Sequence, residues 1–295
     1  MTALVTPFNG SGIDYDGLRS NIQFQIANGI SGIVPLGTTG ESPTIEEDER
    51  REIVRVAVEE AKNKVPVIVG TGTNSTKSTI EHTALAKDAG ADGVLIVSPY
   101  YNKPTQEGLY RHFEAVAKAA DIPIIVYNIA GRTGVNIETR TLKRLSEICN
   151  IVGVKEASGS IPQIMEVITS MPRDFAVLSG DDNLTLSTMA LGGHGVISVA
   201  SNIVPKKVAD LVSHAASGNF EVARESHEEL LPLFKALFIE TNPVPVKTAM
   251  NLLGMPAGPV RLPLVEVSKE NLESLKNVLR TYQDLGAIRS RKVSV

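Results

Sequence analysis

A lysine closes the apolar run Ile151-Val152-Gly153-Val154-Lys155 and is followed by Glu156-Ala157-Ser158-Gly159. An ammonium at the end of an apolar strand is costly to desolvate unless it is paired or gives up its proton. A lysine neutral near pH 7 is the nucleophile that converts a carbonyl into an iminium. The competing account is a lysine paired with Glu156 or reaching to solvent. Its company favours the nucleophile. Tyr127 ends the preceding apolar run, where a tyrosine can move protons. Thr38 and Thr39 lie between Gly37 and Gly40, and a glycine-flanked turn with two hydroxyls suits a small carboxylate. A plain helix cap at Thr44, with Glu47 three residues on, explains Thr44 but not the two threonines before it. Arg132, in Gly131-Arg132-Thr133-Gly134, could clamp a carboxylate in a fork, although a lone arginine is more often a surface residue. The adjacent Tyr100 and Tyr101 fit hydroxyl donors and interface packing equally well.

Other chemistries lack their residues. His82, His112, His194, His214 and His227 show no metal-ligand spacing, and there is one cysteine, so no metal centre is expected. No nucleophile elbow supports Ser-His-Asp catalysis. The Gly70–Ser75 run lacks the third glycine and the acidic partner of a dinucleotide loop. Gly192 to Ser198 is glycine-rich and fits either a phosphate cradle or a substrate lying on backbone.

These groups must be carried by something regular. Valine- and isoleucine-rich runs at Ala3–Thr6, Gly32–Leu36, Val65–Gly70, Gly93–Val97, Pro123–Tyr127, Ile151–Lys155, Ala176–Ser179 and Gly195–Ser198 predict eight strands covered on both faces. Helical stripes separate them, among them Leu109, Phe113, Val116 and Ala120, and Leu142, Leu145 and Cys149. Gly29, Gly90 and Asn150 stand where helices should end. Eight alternations predict an α/β fold, a TIM (β/α)8 barrel over residues 1–218 carrying the site. Residues 219–295 predict a C-terminal helical domain, with Arg289 to Val295 fraying at its end.

The 295 residues, 42% hydrophobic and 21% charged, fit a globular protein with a large core. A net charge of -4, with mixed signs, predicts no nucleic-acid partner. The single Cys149 falls in an apolar helical run, which predicts buried packing and a reducing compartment. Neither a signal peptide nor an apolar run of about 18 residues is visible. The expected setting is cytoplasmic, with no membrane partner.

Taken together, GTTGES at Gly37–Ser42, SPYYNKP at Ser98–Pro104, YNIAGRTG at Tyr127–Gly134 and GVKEASG at Gly153–Gly159 resemble the dihydrodipicolinate synthase family, within the N-acetylneuraminate lyase superfamily. LSGDD at Leu178–Asp182, GVISV at Gly195–Val199 and ETNPVPVK at Glu240–Lys247 complete the resemblance, which runs to about Leu285. It implies a lyase that condenses pyruvate with L-aspartate 4-semialdehyde, the first committed step of the diaminopimelate route to lysine. By that resemblance Lys155 forms the Schiff base, Thr39 and the Ile197 backbone hold the keto acid, and Tyr127 donates and accepts the proton. Thr38 links Tyr127 to Tyr101 of a neighbouring subunit in a homotetramer, and Arg132 receives the second substrate's carboxylate. Lyases of N-acetylneuraminate or of 2-keto-3-deoxy sugar acids share the lysine, tyrosine and threonines. The Arg-Thr-Gly setting of Arg132 and the paired tyrosines favour the synthase, and the intact set argues against a silent keto-acid sensor.

The sequence departs from the family pattern in three places. Ile129-Ala130-Gly131 lacks the usual proline and serine, which bears on the stiffness of the Arg132 loop. The chain starts several residues late, nearly inside its first strand, so a misassigned start or a shortened barrel floor is expected. Where lysine-inhibited members commonly carry two histidines and a glutamate, this chain has Glu47, Arg50 and Ser78, although Asn74 and Tyr100 remain. Weak or absent lysine feedback is expected.

Overall fold

Side chains alternate across each strand, so every strand must satisfy two cores at once. In the computed structural model, which describes residues 1–10 and 12–282, one set faces helices and the other faces inward. The strands are β1 (Thr2–Ala3), β2 (Phe8–Asn9), β3 (Gly12–Ile13), β4 (Ile33–Val34), β5 (Ile68–Gly70), β6 (Gly93–Val97), β7 (Ile124–Asn128), β8 (Ile151–Glu156), β9 (Ala176–Ser179) and β10 (Gly195–Val196). Ile33, Val69, Val94, Ile96, Ile124, Val126, Val154 and Val177 pack under the helices. Their neighbours Val34, Ile68, Leu95, Ile125, Tyr127 and Leu178 form a separate cluster with Ala3, Ala157 and Ile197.

Strands β5 to β10 form one parallel sheet in chain order, and β1 pairs with β4, also parallel. Single parallel bridges, Ile33 to Val67 and Thr2 to Ser198, join that pair to both edges of the larger sheet. Helices α1 (Tyr15–Ala27), α2 (Glu47–Ala61), α3 (Thr76–Asp88), α4 (Gln106–Ala119), α5 (Ala130–Thr133), α6 (Thr139–Leu145), α7 (Ile161–Ser170), α8 (Thr185–Ala190) and α9 (Pro205–Ala216) follow in alternation. Then α10 (Phe220–Ala236), α11 (Val244–Leu252) and α12 (Lys269–Leu279) close a second large core with α9 and the segment after β10.

The eight predicted runs all overlap strands, but several strands are shorter, and β1 shares only Ala3 with the first run. Pro35 and Pro66 offer no N–H to a ladder, which trims β4 and β5. The antiparallel hairpin β2–β3, missed in the sequence reading, pairs Phe8 with Ile13. Gly29 and Gly90 do end α1 and α3, with φ of +78° and +89°. Asn150 serves an earlier helix instead: its amide donates to the carbonyls of Ala117 and Ala120 at the end of α4.

Two expectations are corrected. Cys149 is exposed, because α6 stops at Leu145 and the chain turns before the helical stripe reaches it. Thr44 and Glu47 do not cap α2. Thr44 closes a 3₁₀ turn, its hydroxyl donating to Glu41 O, and the capping box forms later between Glu46 and Glu49. The predicted stretch Arg289 to Val295 lies outside the described residues. Among the described residues no helix is long and apolar enough to cross a membrane.

The end of β5 presses on the turn after β4, where Leu36 has a φ of +58°. A Cβ on Gly70 would stand 2.1 Å from the Leu36 carbonyl oxygen. Gly70→Ala is therefore expected to lower stability by about 1–3 kcal/mol, as overpacking does. Denaturant unfolding followed by circular dichroism checks this, and an unchanged midpoint would show that the turn yields freely.

Candidate active site

Register brings the candidate groups together. Lys155 on β8 lies beside Tyr127 on β7 and Leu178 on β9, all on the inward face. Its Nζ stands 4.3 Å from the centroid of the Tyr127 ring, and the residue is 5% exposed. Burial lowers the lysine pKa to about 8; Asp181 and Asp182 pull it up, and Arg132 adds to the lowering.

Glu156 does not pair with Lys155. Being the next residue on the strand, it points to the other face. There its Oε1 accepts from Ser158 N at 2.7 Å, and its Oε2 from the Asn128 amide at 3.1 Å and the Gln163 amide at 3.4 Å. Asn136 bonds both Asn128 and Gln163, tying the ends of β7 and β8 to the following loops.

Tyr127 is buried, and desolvation drives its phenol pKa well above the usual value. Arg132 and a hydrogen bond with Thr38 pull it down, while Asp181 pushes it up. It is thus a protonated donor at neutral pH. Thr39 is buried and its hydroxyl accepts from the Asn242 amide at 3.0 Å. Arg132, on the short helix α5, is exposed and donates through Nη2 to the Asn242 carbonyl at 3.1 Å. Ile197 is buried, and its N–H is spent on Ser179 O at 3.0 Å, so the backbone group left for a ligand is its carbonyl.

A cleft of about 510 Å³ has Thr38, Tyr127, Arg132, Asn242, Tyr100 and Arg50 in its wall, whereas Lys155, Thr39 and Ile197 do not line it. Lys155 is packed against the ring of Tyr127, which does line it. Tyr101 is not brought to the cleft of its own chain. It is 89% exposed at a left-handed φ of +72° and projects away from the protomer.

The sequence reading missed Asn242, Asp181 and Asp182 as site residues. Asn242 lies 110 positions from Arg132 and 203 from Thr39, so no local pattern couples them. Asp182 is buried, with Oδ2 accepting from Val199 N at 2.9 Å and Ala200 N at 3.0 Å, next to the Ile197 backbone. Both aspartates stood inside the quoted LSGDD run and Asn242 inside ETNPVPVK, which were the available signals.

Residues 1–282 match the dihydrodipicolinate synthetase family. The chain is 53% identical over 282 residues to 4-hydroxy-tetrahydrodipicolinate synthase of Protochlamydia amoebophila, covering 94% of each chain. It is 52% identical over 287 residues to the Methanocaldococcus jannaschii protein of that name, covering 97% of this chain and 98% of the other. The crystal structure of dihydrodipicolinate synthase from Aquifex aeolicus superposes with a TM-score of 0.93 at 50% identity, over 95% of this chain and 96% of that one.

Burying Lys155 carries a stability cost with a defined pH dependence. Its folded pKa of about 8 lies below the ordinary 10.5. The unfolded chain therefore binds the extra proton between those values, and stability gains from this group as pH rises through that window. Below about pH 8 the cost stands in full. Lys155→Met should raise stability at pH 7 by about 2–3 kcal/mol, with the difference from the parent narrowing by pH 9.5. Urea unfolding at the two pH values measures it, and a less stable variant at pH 7 would contradict the desolvation account.

Proposed function

The chain belongs to the dihydrodipicolinate synthetase family, and on that premise we propose how its residues perform the family's reaction. The protein is a lyase that condenses pyruvate with L-aspartate 4-semialdehyde to give 4-hydroxy-tetrahydrodipicolinate, in the diaminopimelate route to lysine. The observation that carries the residue assignment is Lys155, a buried amine with its pKa near 8, packed on the ring of a protonated tyrosine.

Neutral Lys155 attacks the pyruvate carbonyl, and loss of water leaves an iminium that serves as an electron sink. Thr39 and the Ile197 carbonyl seat the keto acid. Loss of a methyl proton gives an enamine, which adds through carbon to the semialdehyde. Tyr127 protonates the new alkoxide, resupplied through Thr38 and through Tyr101 of a neighbouring copy. Arg132 holds the semialdehyde's carboxylate, and its amine then displaces Lys155 as the ring closes. The steps are proton transfers, carbon–nitrogen exchange and one carbon–carbon bond formation for which the iminium is the electron sink, so no cofactor is called for.

The fold we propose is a closed (β/α)8 barrel, supported by the two single bridges that join the β1–β4 pair to the rest of the sheet. We place the boundary with the C-terminal helical domain between 218 and 219, where Gly218 turns left-handed ahead of α10. The assembly we propose is a homotetramer of tight dimers, after the family; the outward thrust of Tyr101 supports contact with at least one further copy. A cytoplasmic setting suits the exposed thiol of Cys149, the chain's one cysteine.

Reduction with borohydride in the presence of pyruvate should fix a pyruvyl adduct on Lys155, found by peptide mass. Trapping should accelerate as pH rises through about 8, because the neutral amine is the reactive form. Lys155→Arg should fold and give no adduct. A parent protein that forms none would sink the assignment.

Lysine should inhibit weakly or not at all. Arg50 is buried with its Nε and Nη1 unpartnered among the described residues, Glu47 is committed to His82 at 2.7 Å, and Ser78 is bonded to Ser75. An incoming ammonium would meet a guanidinium of the same sign. Strong inhibition by sub-millimolar lysine in a steady-state assay would refute this.

A further inference from the structure

Outside the reacting groups, the most completely buried ion pair among the described residues is Lys247 with Glu41, each side chain 1% exposed. Lys247 lies in the first turns of α11, and Glu41 ends the Thr38–Thr39 turn in a left-handed conformation, φ +55°. Lys247 Nζ donates to Glu41 Oε1 at 2.7 Å and to Thr6 O at 3.0 Å, and lies 4.0 Å from the Phe8 ring centroid. The other carboxylate oxygen accepts from Arg261 N at 2.9 Å. Thr6 Oγ1 in turn donates to Gly40 O at 2.7 Å. One buried cation therefore grips the turn directly through Glu41 and indirectly through Thr6.

The same helix is preceded by Asn242, whose amide donates to the Thr39 hydroxyl. A hydroxyl that already accepts a hydrogen bond at oxygen has its own hydrogen free to donate. Asn242 thus leaves the Thr39 hydrogen free for a ligand, and its main-chain carbonyl accepts from Arg132. The charged pair ties the first turn of α11 directly to the threonine turn, beside the apolar packing of Val246 in the second core.

We propose that Lys247 and Glu41 are positioning residues for keto-acid binding: their pairing locks α11 onto the threonine turn, so that Asn242 holds the Thr39 hydroxyl in its donating direction. The inference rests on the reading of Thr39 as the carboxylate seat. A scaffold that only supported the fold would affect stability and leave substrate affinity alone.

Removing one charge leaves the other buried and unpaired, which is strongly destabilising, whereas neutralising both is tolerated much better. The decisive variant is therefore Glu41→Gln with Lys247→Met together. We expect this double variant to fold, and its KM for pyruvate to rise about tenfold or more while kcat changes by less than about threefold, the signature of binding lost equally from ground and transition states. It should still yield the borohydride adduct on Lys155 at saturating pyruvate. A folded double variant with the parent's KM would overturn the proposal, and so would an equal fall in kcat with KM unchanged. Asn242→Ser, which keeps both charges, should raise the same KM and carries the test if the double variant does not fold; a parental KM there would overturn the proposal equally. Loss of the adduct in the parent protein would instead tell against the Lys155 assignment.

Discussion

An amine held out of water is the constraint around which this molecule is arranged. At pH 7 an ordinary lysine is neutral in about one molecule in several thousand, while one with a pKa near 8 is neutral in about one in ten. That gain of about three-hundredfold comes first from burial. It needs a strand that ends inside the protein, neighbouring strands in register, and a helix layer closing the far side. Asp181 and Asp182 work against it, so the environment is balanced rather than simply apolar. They keep the cation from being expelled altogether while leaving the proton loosely held.

The same desolvation acts in the opposite sense on the tyrosine beside it. Burial disfavours phenolate as it disfavours ammonium, so it raises one pKa and lowers the other. Both groups are driven toward their neutral forms in contact with each other. A neutral amine is a nucleophile and a neutral phenol is an acid, which is the pairing that iminium chemistry requires. Glu156 could have spoiled this by offering Lys155 a counter-ion. Strand alternation sends it to the opposite face, where neutral amides and a backbone N–H satisfy it.

The threonine turn is the other half of the site, and it is not self-supporting. Non-glycine residues in left-handed conformation, Leu36 and Glu41, bracket it, and such backbone persists only when its surroundings over-determine it. Those surroundings come from both ends of the chain. Thr6 holds Gly40, Lys247 and Arg261 hold Glu41, and Asn242 holds Thr39. The helices after β10 are therefore part of how the turn keeps its shape as well as a second core. The packing of Gly70 under Leu36 completes the support from within the sheet.

The chain's own order of residues determined much of this. Runs of valine and isoleucine marked every parallel strand, because a strand covered on both faces has no polar alternation to dilute it. Lys155 and Tyr127 were legible as strand-end residues, and Thr38 and Thr39 as a glycine-flanked pair. Where the sequence misled, a local signal met a non-local decision. Cys149 looked like the end of a helical stripe, but the chain turns after Leu145 to place Asn150 beneath α4. Thr44 looked like a cap until the preceding turn used its hydroxyl. What only the tertiary structure decided is who touches whom: that Glu156 leaves Lys155 alone, that Asn242 reaches Thr39 and Arg132, and that Lys247 spends its charge on Glu41. A strand's period of two and a helix's 3.6 are written in neighbouring residues, whereas contacts across two hundred positions depend on how the whole sheet and the final helices close together.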